Sequence, residues 1–339
     1  MKHPLRFALL LLGSTPLTLL AQNAELYGRF HVSMDHLQAD SQGEGTTLSS
    51  NSSRLGVRGK QSVTDALAAI WQVEVGIRAE NDSAISTDRD TFVGLIGNWG
   101  QLRAGRFDTP MKRMHSRVNL FGDQVGDARN LLRADDAATG TSWWDERLRN
   151  SIAYRSPAQA GATASLHYST NQDSGAATSS DQASWSASLE WQGKNLWLGV
   201  AHEDSGKTVG GNFIERRATR ASANLELGGL RLVGLWQHAR HPDITAWGAG
   251  LRYAASERIA VKSHYYQIEA RNSTGDAELF AVGLDYTLAK PLMFYLNYGQ
   301  VINGDSSART PWKEGRSDSL VTGDGDAPEA VSIGMVYRF

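Results

Sequence analysis

Much of the chain alternates between apolar and polar positions. In Leu26–Asp35 one parity carries Leu26, Gly28, Phe30, Val32 and Met34. The other carries Tyr27, Arg29, His31, Ser33 and Asp35. Successive side chains on a strand point to opposite faces, so this predicts a β-strand with one apolar and one polar side. Arg54–Lys60 repeats the pattern, with Leu55 and Val57 against Arg54, Arg58 and Lys60. Ala66–Ala79 is the clearest case: Ala69, Trp71, Val73, Val75 and Ile77 against Gln72, Glu74 and Arg78.

Further strands are predicted over Thr91–Asn98, Gln101–Phe107, Asn150–Ser156, Ala162–Thr170, Ser184–Gln192, Leu196–Glu203 and Arg216–Leu227. Leu230–Ala239, Thr245–Ala254, Arg258–Glu269, Ala277–Leu288, Leu292–Ile302 and Ala330–Phe339 complete the set. That makes about 16 strands, many near the ~10 residues of a transmembrane β segment. Leu230–Ala239 alternates poorly, and Arg217 falls on the apolar parity of its strand.

The connections alternate as well. Tight turns sit at Asn98-Trp99-Gly100, Pro157–Gly161, Gly193-Lys194-Asn195, Gly228-Gly229, Ala255-Ser256 and Lys290-Pro291. Longer polar links lie between them: His36–Ser53, Glu80–Asp90, Asp108–Leu148, Asn171–Ala183, Asp204–Glu215, Ala270–Asp276 and Asn303–Glu329. Short at one end and long at the other is how outer-membrane barrels are built. Arg240-His241-Pro242-Asp243 is short where a long link is expected. An even strand number brings both ends of the sheet to one side, so Ala330–Phe339 can pair with Leu26–Asp35 and leave no edge.

Asp108–Leu148 is far longer than the ~4–6 residues of ordinary connections. Thr109 can cap a short helix over Met111–Val118, with Pro110 in its first turn. The stretch is expected to fold into the barrel, where its carboxylates narrow a water-filled pore. It holds seven acids and six bases, a balance too even to set an ion preference.

The sequence opens with Lys2 and Arg6, then an apolar run over Phe7–Ala21. Two early charges, a short apolar core and a small residue at Ala21 predict a signal peptide over residues 1–21, ahead of one barrel domain over 22–339. Without Lys2 and Arg6, 32 basic residues face 36 acidic ones, so no bulk attraction to nucleic acid is expected. There is no Cys, which excludes disulfides and thiolate chemistry.

Barrel girth separates a soluble fold from a membrane one. About 8 strands leave an interior that side chains can fill, whereas ~16–18 leave an aqueous channel. The polar parity carries Arg29, Arg58, Arg78, Arg103, Arg155, Lys262 and Glu190. Such charges cannot form a dry core. They must face enclosed water, and the apolar parity must face lipid. Turning several strands over by a one-residue slip would cost on the order of 10 kcal/mol, because each lipid-facing base costs ~2–4 kcal/mol. Trp185, Trp191, Trp197, Trp247, Tyr253, Tyr286, Tyr298, Tyr337 and Phe339 lie towards strand ends, as interfacial belts do.

The sequence resembles the trimeric general porins of Gram-negative outer membranes. The resemblance is carried by Leu26-Tyr27-Gly28-Arg29, Ser53-Arg54-Leu55-Gly56-Val57-Arg58-Gly59 and Gly94-Leu95. It continues in Gly100-Gln101-Leu102-Arg103-Ala104-Gly105-Arg106, Leu120-Phe121-Gly122-Asp123 and Val336-Tyr337-Arg338-Phe339. It implies an all-β, 16-stranded antiparallel transmembrane β-barrel with an inward-folded third loop. The implied partners are two further copies in a homotrimer, outer-membrane lipid and lipopolysaccharide, and the barrel assembly machinery, which would read Phe339. Loop residues Phe121, Gly122, Asp123 and Asp127 would form the constriction. Arg29, Arg58, Arg78, Arg103 and Arg155 would form a basic ladder on the wall opposite. The implied function is passive diffusion of small hydrophilic solutes and ions, with no enzymatic activity and no cofactor.

The alternatives are a porin specific for a sugar or anion, a barrel enzyme, and an adhesive barrel with a plugged lumen. No phosphate-binding lysine loop or Gly-x-Ser-x-Gly elbow is present. His238 and His241 lack a third ligand, so no metal is expected. Asp324-Gly325-Asp326 lacks the pattern of a calcium loop and reads as a solvated outer loop.

Overall fold

The alternation resolves into one closed antiparallel sheet. The structure is a computed structural model describing residues 24–78, 85–133, 143–171, 183–209, 212–240, 243–271, 275–317 and 320–339. The expected signal peptide lies outside the described residues, as do Asp135, Asp136 and His241.

The first strands are β1 (Ala24–Ala39), β2 (Gly43–Ser50), β3 (Arg54–Thr64), β4 (Leu67–Ile77), β5 (Ile85–Ser86), β6 (Thr91–Gly97) and β7 (Gly100–Asp108). Two short helices follow, α1 (Pro110–His115) and α2 (Arg129–Leu132). Next come β8 (Arg147–Arg155), β9 (Ala162–Ser169), β10 (Ser184–Gln192), β11 (Leu196–Val209), β12 (Asn212–Leu227) and β13 (Leu230–Arg240). The last five are β14 (Ile244–Ala254), β15 (Ile259–Ala270), β16 (Ala277–Ala289), β17 (Leu292–Asn303) and β18 (Glu329–Arg338).

These segments make 16 crossings. β2 and β3 both pair with β1 and are halves of one crossing, broken at Asn51–Ser53. β5 and β6 likewise both pair with β4. The sheet closes where β1 meets β18, in a register that sets Arg29 against Arg338 and Gln38 against Glu329. Gly28 and Phe339 exchange backbone hydrogen bonds of 2.9 and 3.2 Å at the seam.

Parity falls as the sequence indicates. Leu26, Phe30 and Met34 are exposed, whereas His31, Ser33 and Asp35 are buried. Val73 is exposed next to buried Glu74. The apolar residues on the outside form a surface suited to acyl chains. Trp99, Trp191, Trp236, Trp247 and Tyr337 are among its exposed aromatics.

Two features depart from the expected strands. Gly43–Ser50, read as a polar link, is a strand, and β11 and β12 extend to Val209 and from Asn212 through another expected link. The inner wall is also not polar all round. Trp197, Val233, Leu235, Tyr266, Ile268, Leu279 and Val301, from β11 and β13 to β17, form one buried apolar cluster with Met111, Met114, Val118, Leu131, Trp143 and Trp144. The long stretch after β7 therefore supplies apolar side chains that pack against those of β11 and β13 to β17. Burial of this kind contributes about 1.5–3 kcal/mol per large side chain.

Candidate functional site

The stretch between β7 and β8 starts as its sequence suggests. Thr109 caps α1, its hydroxyl accepting from the Lys112 backbone N–H at 3.3 Å, with Pro110 in the first turn. The helix ends at His115, three residues before the expected end. The second helix, α2, has no side-chain cap and had no signal in the sequence.

Between them the chain turns sharply. Asp123 has φ 59°, a left-handed conformation that Asp tolerates better than most residues. Gly126 has φ 87°, and a Cβ there would lie 2.4 Å from the Cβ of Ala281 on β16. Both the turn and the close approach require glycine.

Four anchors hold the stretch to the wall. Arg220 on β12 donates to Asp145 at 2.5 and 3.0 Å and to the Met111 carbonyl at 3.2 Å. The Arg220 and Asp145 side chains are fully buried. Gln237 donates to the Leu132 carbonyl at 2.9 Å. Lys262 and Asn297 donate to Gln124 at 2.6 and 2.9 Å. Phe121 packs on His264 with centroids 4.5 Å apart.

The polar centre is Asp123. Arg29 on β1 donates to its Oδ2 at 2.5 Å and Arg129 to its Oδ1 at 2.7 Å. Burial works against the charge on Asp123, but the two guanidinium groups outweigh it and hold the carboxyl well below the usual range. Asp127 accepts from Arg129 at 2.6 Å, from Asn119 at 2.8 Å and from the Asp123 backbone N–H at 2.7 Å.

The expected site residues fall into different environments. Gly122 is exposed and Asp123 is half-buried, but Phe121 and Asp127 are fully buried. On the wall, Arg29 meets Asp123. Arg58 instead pairs with Glu25 at 2.8 Å, beside the start of β1. Arg78 is exposed just past the end of β4. Arg103 lies over the rings of Phe92 and Phe107, 4.9 and 4.7 Å away. Arg155 is 3.4 Å from Glu190.

A second basic group lies close to Arg29. Arg54, opposite Arg29 in the register, lies 3.7 Å from Glu74. Arg147 on β8 contacts Asp90 at 2.6 Å and Asp108 at 3.0 Å. Arg89, between β5 and β6, is near enough to both to feel their like charge. Arg54 shares a parity with Arg58 and could have been found from that. Arg89 lies in a broken crossing, where no period marks it.

The segment between β17 and β18 also meets this stretch. The Pro311 carbonyl accepts from the Gly126 N–H at 2.7 Å, and Asn130 accepts from the Glu314 N–H at 2.9 Å. Glu314 pairs with Arg133, and Arg316 with Asp35. Trp312 is buried among Leu37, Val125 and Ala330. Gly315 comes so close that a Cβ would lie 2.4 Å from Asp123 Oδ1. Asp326, expected in a solvated loop, accepts from the Ser41 N–H and hydroxyl at 3.1 and 2.5 Å.

Comparison with known proteins fits this architecture. An anion-selective porin from Comamonas acidovorans superposes with a TM-score of 0.82 at 21% identity, over 93% of this chain and 99% of that one. Outer membrane porin protein 32 of Delftia acidovorans is 22% identical over 348 residues, 98% of each chain. The major outer membrane protein P.IB of Neisseria gonorrhoeae is 28% identical over 159 residues, which are 46% of this chain and 42% of that protein. The chain thus spans less than half the length of this last relative. The family model described as Gram-negative porin matches residues 8–306. With a closed barrel, an apolar exterior and that match over most of its length, the chain belongs to the Gram-negative porin family of the outer membrane.

Proposed function

We propose that the protein is a passive diffusion channel for small hydrophilic solutes that favours anions, and that it works as a homotrimer. The stretch between β7 and β8 lies inside the barrel and narrows the pore on the side of β1 to β9. Asp123 and Gly122 are its pore-facing residues, while Phe121 and Asp127 hold its shape. Arg29, Arg54, Arg89 and Arg147 line the narrow point, and Arg103 and Arg155 extend the basic wall away from it.

One observation carries the ion preference. The loop carboxylate nearest the wall, Asp123, is already contacted by two guanidinium groups. Two bases share its one negative charge, while Arg54 meets Glu74 only at 3.7 Å and Asp90 is drawn to Arg147. A ring of unbalanced bases raises the local anion concentration. The anion-selective porin among the similar structures supports the same reading. A planar bilayer under a KCl gradient tests it. The reversal potential is expected to have the sign of chloride permeation, and the potassium sign would overturn it. Three equal conductance steps per insertion are expected of the trimer.

A further inference from the structure

A cavity lies between α1 and the wall, away from the Asp123 contact. Arg113 from α1, Arg103 from β7, Arg155 from β8 and His167 from β9 are among its lining residues. It has room for the centre of one water-sized species, about 10 Å³.

Its charge is uneven. Three guanidinium groups converge on this space. Of the two carboxylates nearby, Glu190 is 3.4 Å from Arg155 and also accepts from the Trp197 indole at 3.3 Å. Asp108 is engaged by Lys112 at 3.2 Å and Arg147 at 3.0 Å. Burial and the like charges of Arg103 and Arg155 push Arg113 down to about 10. Its Nη2 donates to the Ser165 hydroxyl at 3.0 Å, but its Nε is buried with no hydrogen-bond partner. Both ring nitrogens of His167 are in the same position, and that side chain is fully buried. Buried N–H groups without acceptors, the Arg113 Nε–H and the single N–H of a neutral His167 ring, gathered around a small space among like charges, cost free energy that an anion at their centre would offset.

We propose that this cavity binds one small inorganic anion, the size of chloride, held by Arg103, Arg113, Arg155 and the His167 ring. The ion bridges α1 to the wall and so fixes the start of the constricting stretch. The space is too small for a carboxylate or phosphate group. The site rests on how α1 packs against β7, β8 and β9, so it stands whether or not the pore prefers anions.

Anomalous diffraction from crystals of the mature protein grown in sodium bromide tests this. A single bromide peak is expected between the three guanidinium groups. Arg113→Gln and, separately, Arg155→Gln are each expected to weaken bromide about tenfold. If one variant fails to fold, the other still decides. No peak in the unaltered protein overturns the proposal, as does a peak that persists unchanged in a folded variant. The KCl reversal potential of the same preparation reports ion preference separately, so the two readings can fail independently.

Discussion

Asp123 sits between Arg29 and Arg129, and that placement makes its removal informative. Asp123→Asn deletes one negative charge and leaves both bases in place. At roughly 7 Å from a passing ion in water, one charge is worth about 0.6 kcal/mol. The chloride-to-potassium permeability ratio is therefore expected to rise a few-fold, read as a shift of reversal potential. Asp145 makes a different prediction, since its partner Arg220 is equally buried. Burial alone would raise the Asp145 pKa, but Arg220 brings it down to about 2. A carboxylate depressed on folding stabilises the fold above its unfolded pKa of about 3.9 and loses that contribution as pH falls through the folded value. Current noise from the anchored stretch should stay flat from neutral pH to about 4 and rise between about 4 and 2. Breaking the pair by Arg220→Ala should cost about 3–5 kcal/mol, measured as a lower unfolding temperature, because it strands a buried carboxylate.

Among the elements, the segment between β17 and β18 acts on the stretch after β7 as a strut. Trp312 is its largest buried side chain, and its indole donates to the Leu320 carbonyl at 2.9 Å. Trp312→Ala should cost about 3–5 kcal/mol and free the segment from Val125. The expected readout is a larger and noisier single-channel conductance. The sequence offered little warning of this strut. The segment reads as polar outer loop, and its fold depends on contacts with Asp35, Asn130 and Arg133 that lie far off in the chain. The strands were legible because period two is local. Gly43–Ser50 was not, because its Gly, Ser and Thr residues carry no apolar parity. The site was legible in part: Arg29 and Asp123 do meet, but Arg58 is drawn to Glu25, and no sequence pattern distinguishes one wall arginine from the next.

For the whole molecule, two different surroundings meet one sheet. Val93 on β6 is 64% exposed and belongs to the outer parity. Val93→Arg should destabilise the barrel in lipid by about 2–4 kcal/mol if the position lies near midplane, measured by denaturant unfolding in vesicles. The seam carries a further consequence. The free edge of β1 finds its partner only in β18, at the opposite terminus, as the pairing of Arg29 with Arg338 shows. Until β18 has been made, the leading edge has nothing to bond, and such long-range pairing is slow and prone to clumping. Ring closure therefore waits on β18, and the sheet can circularise only once that strand reaches β1.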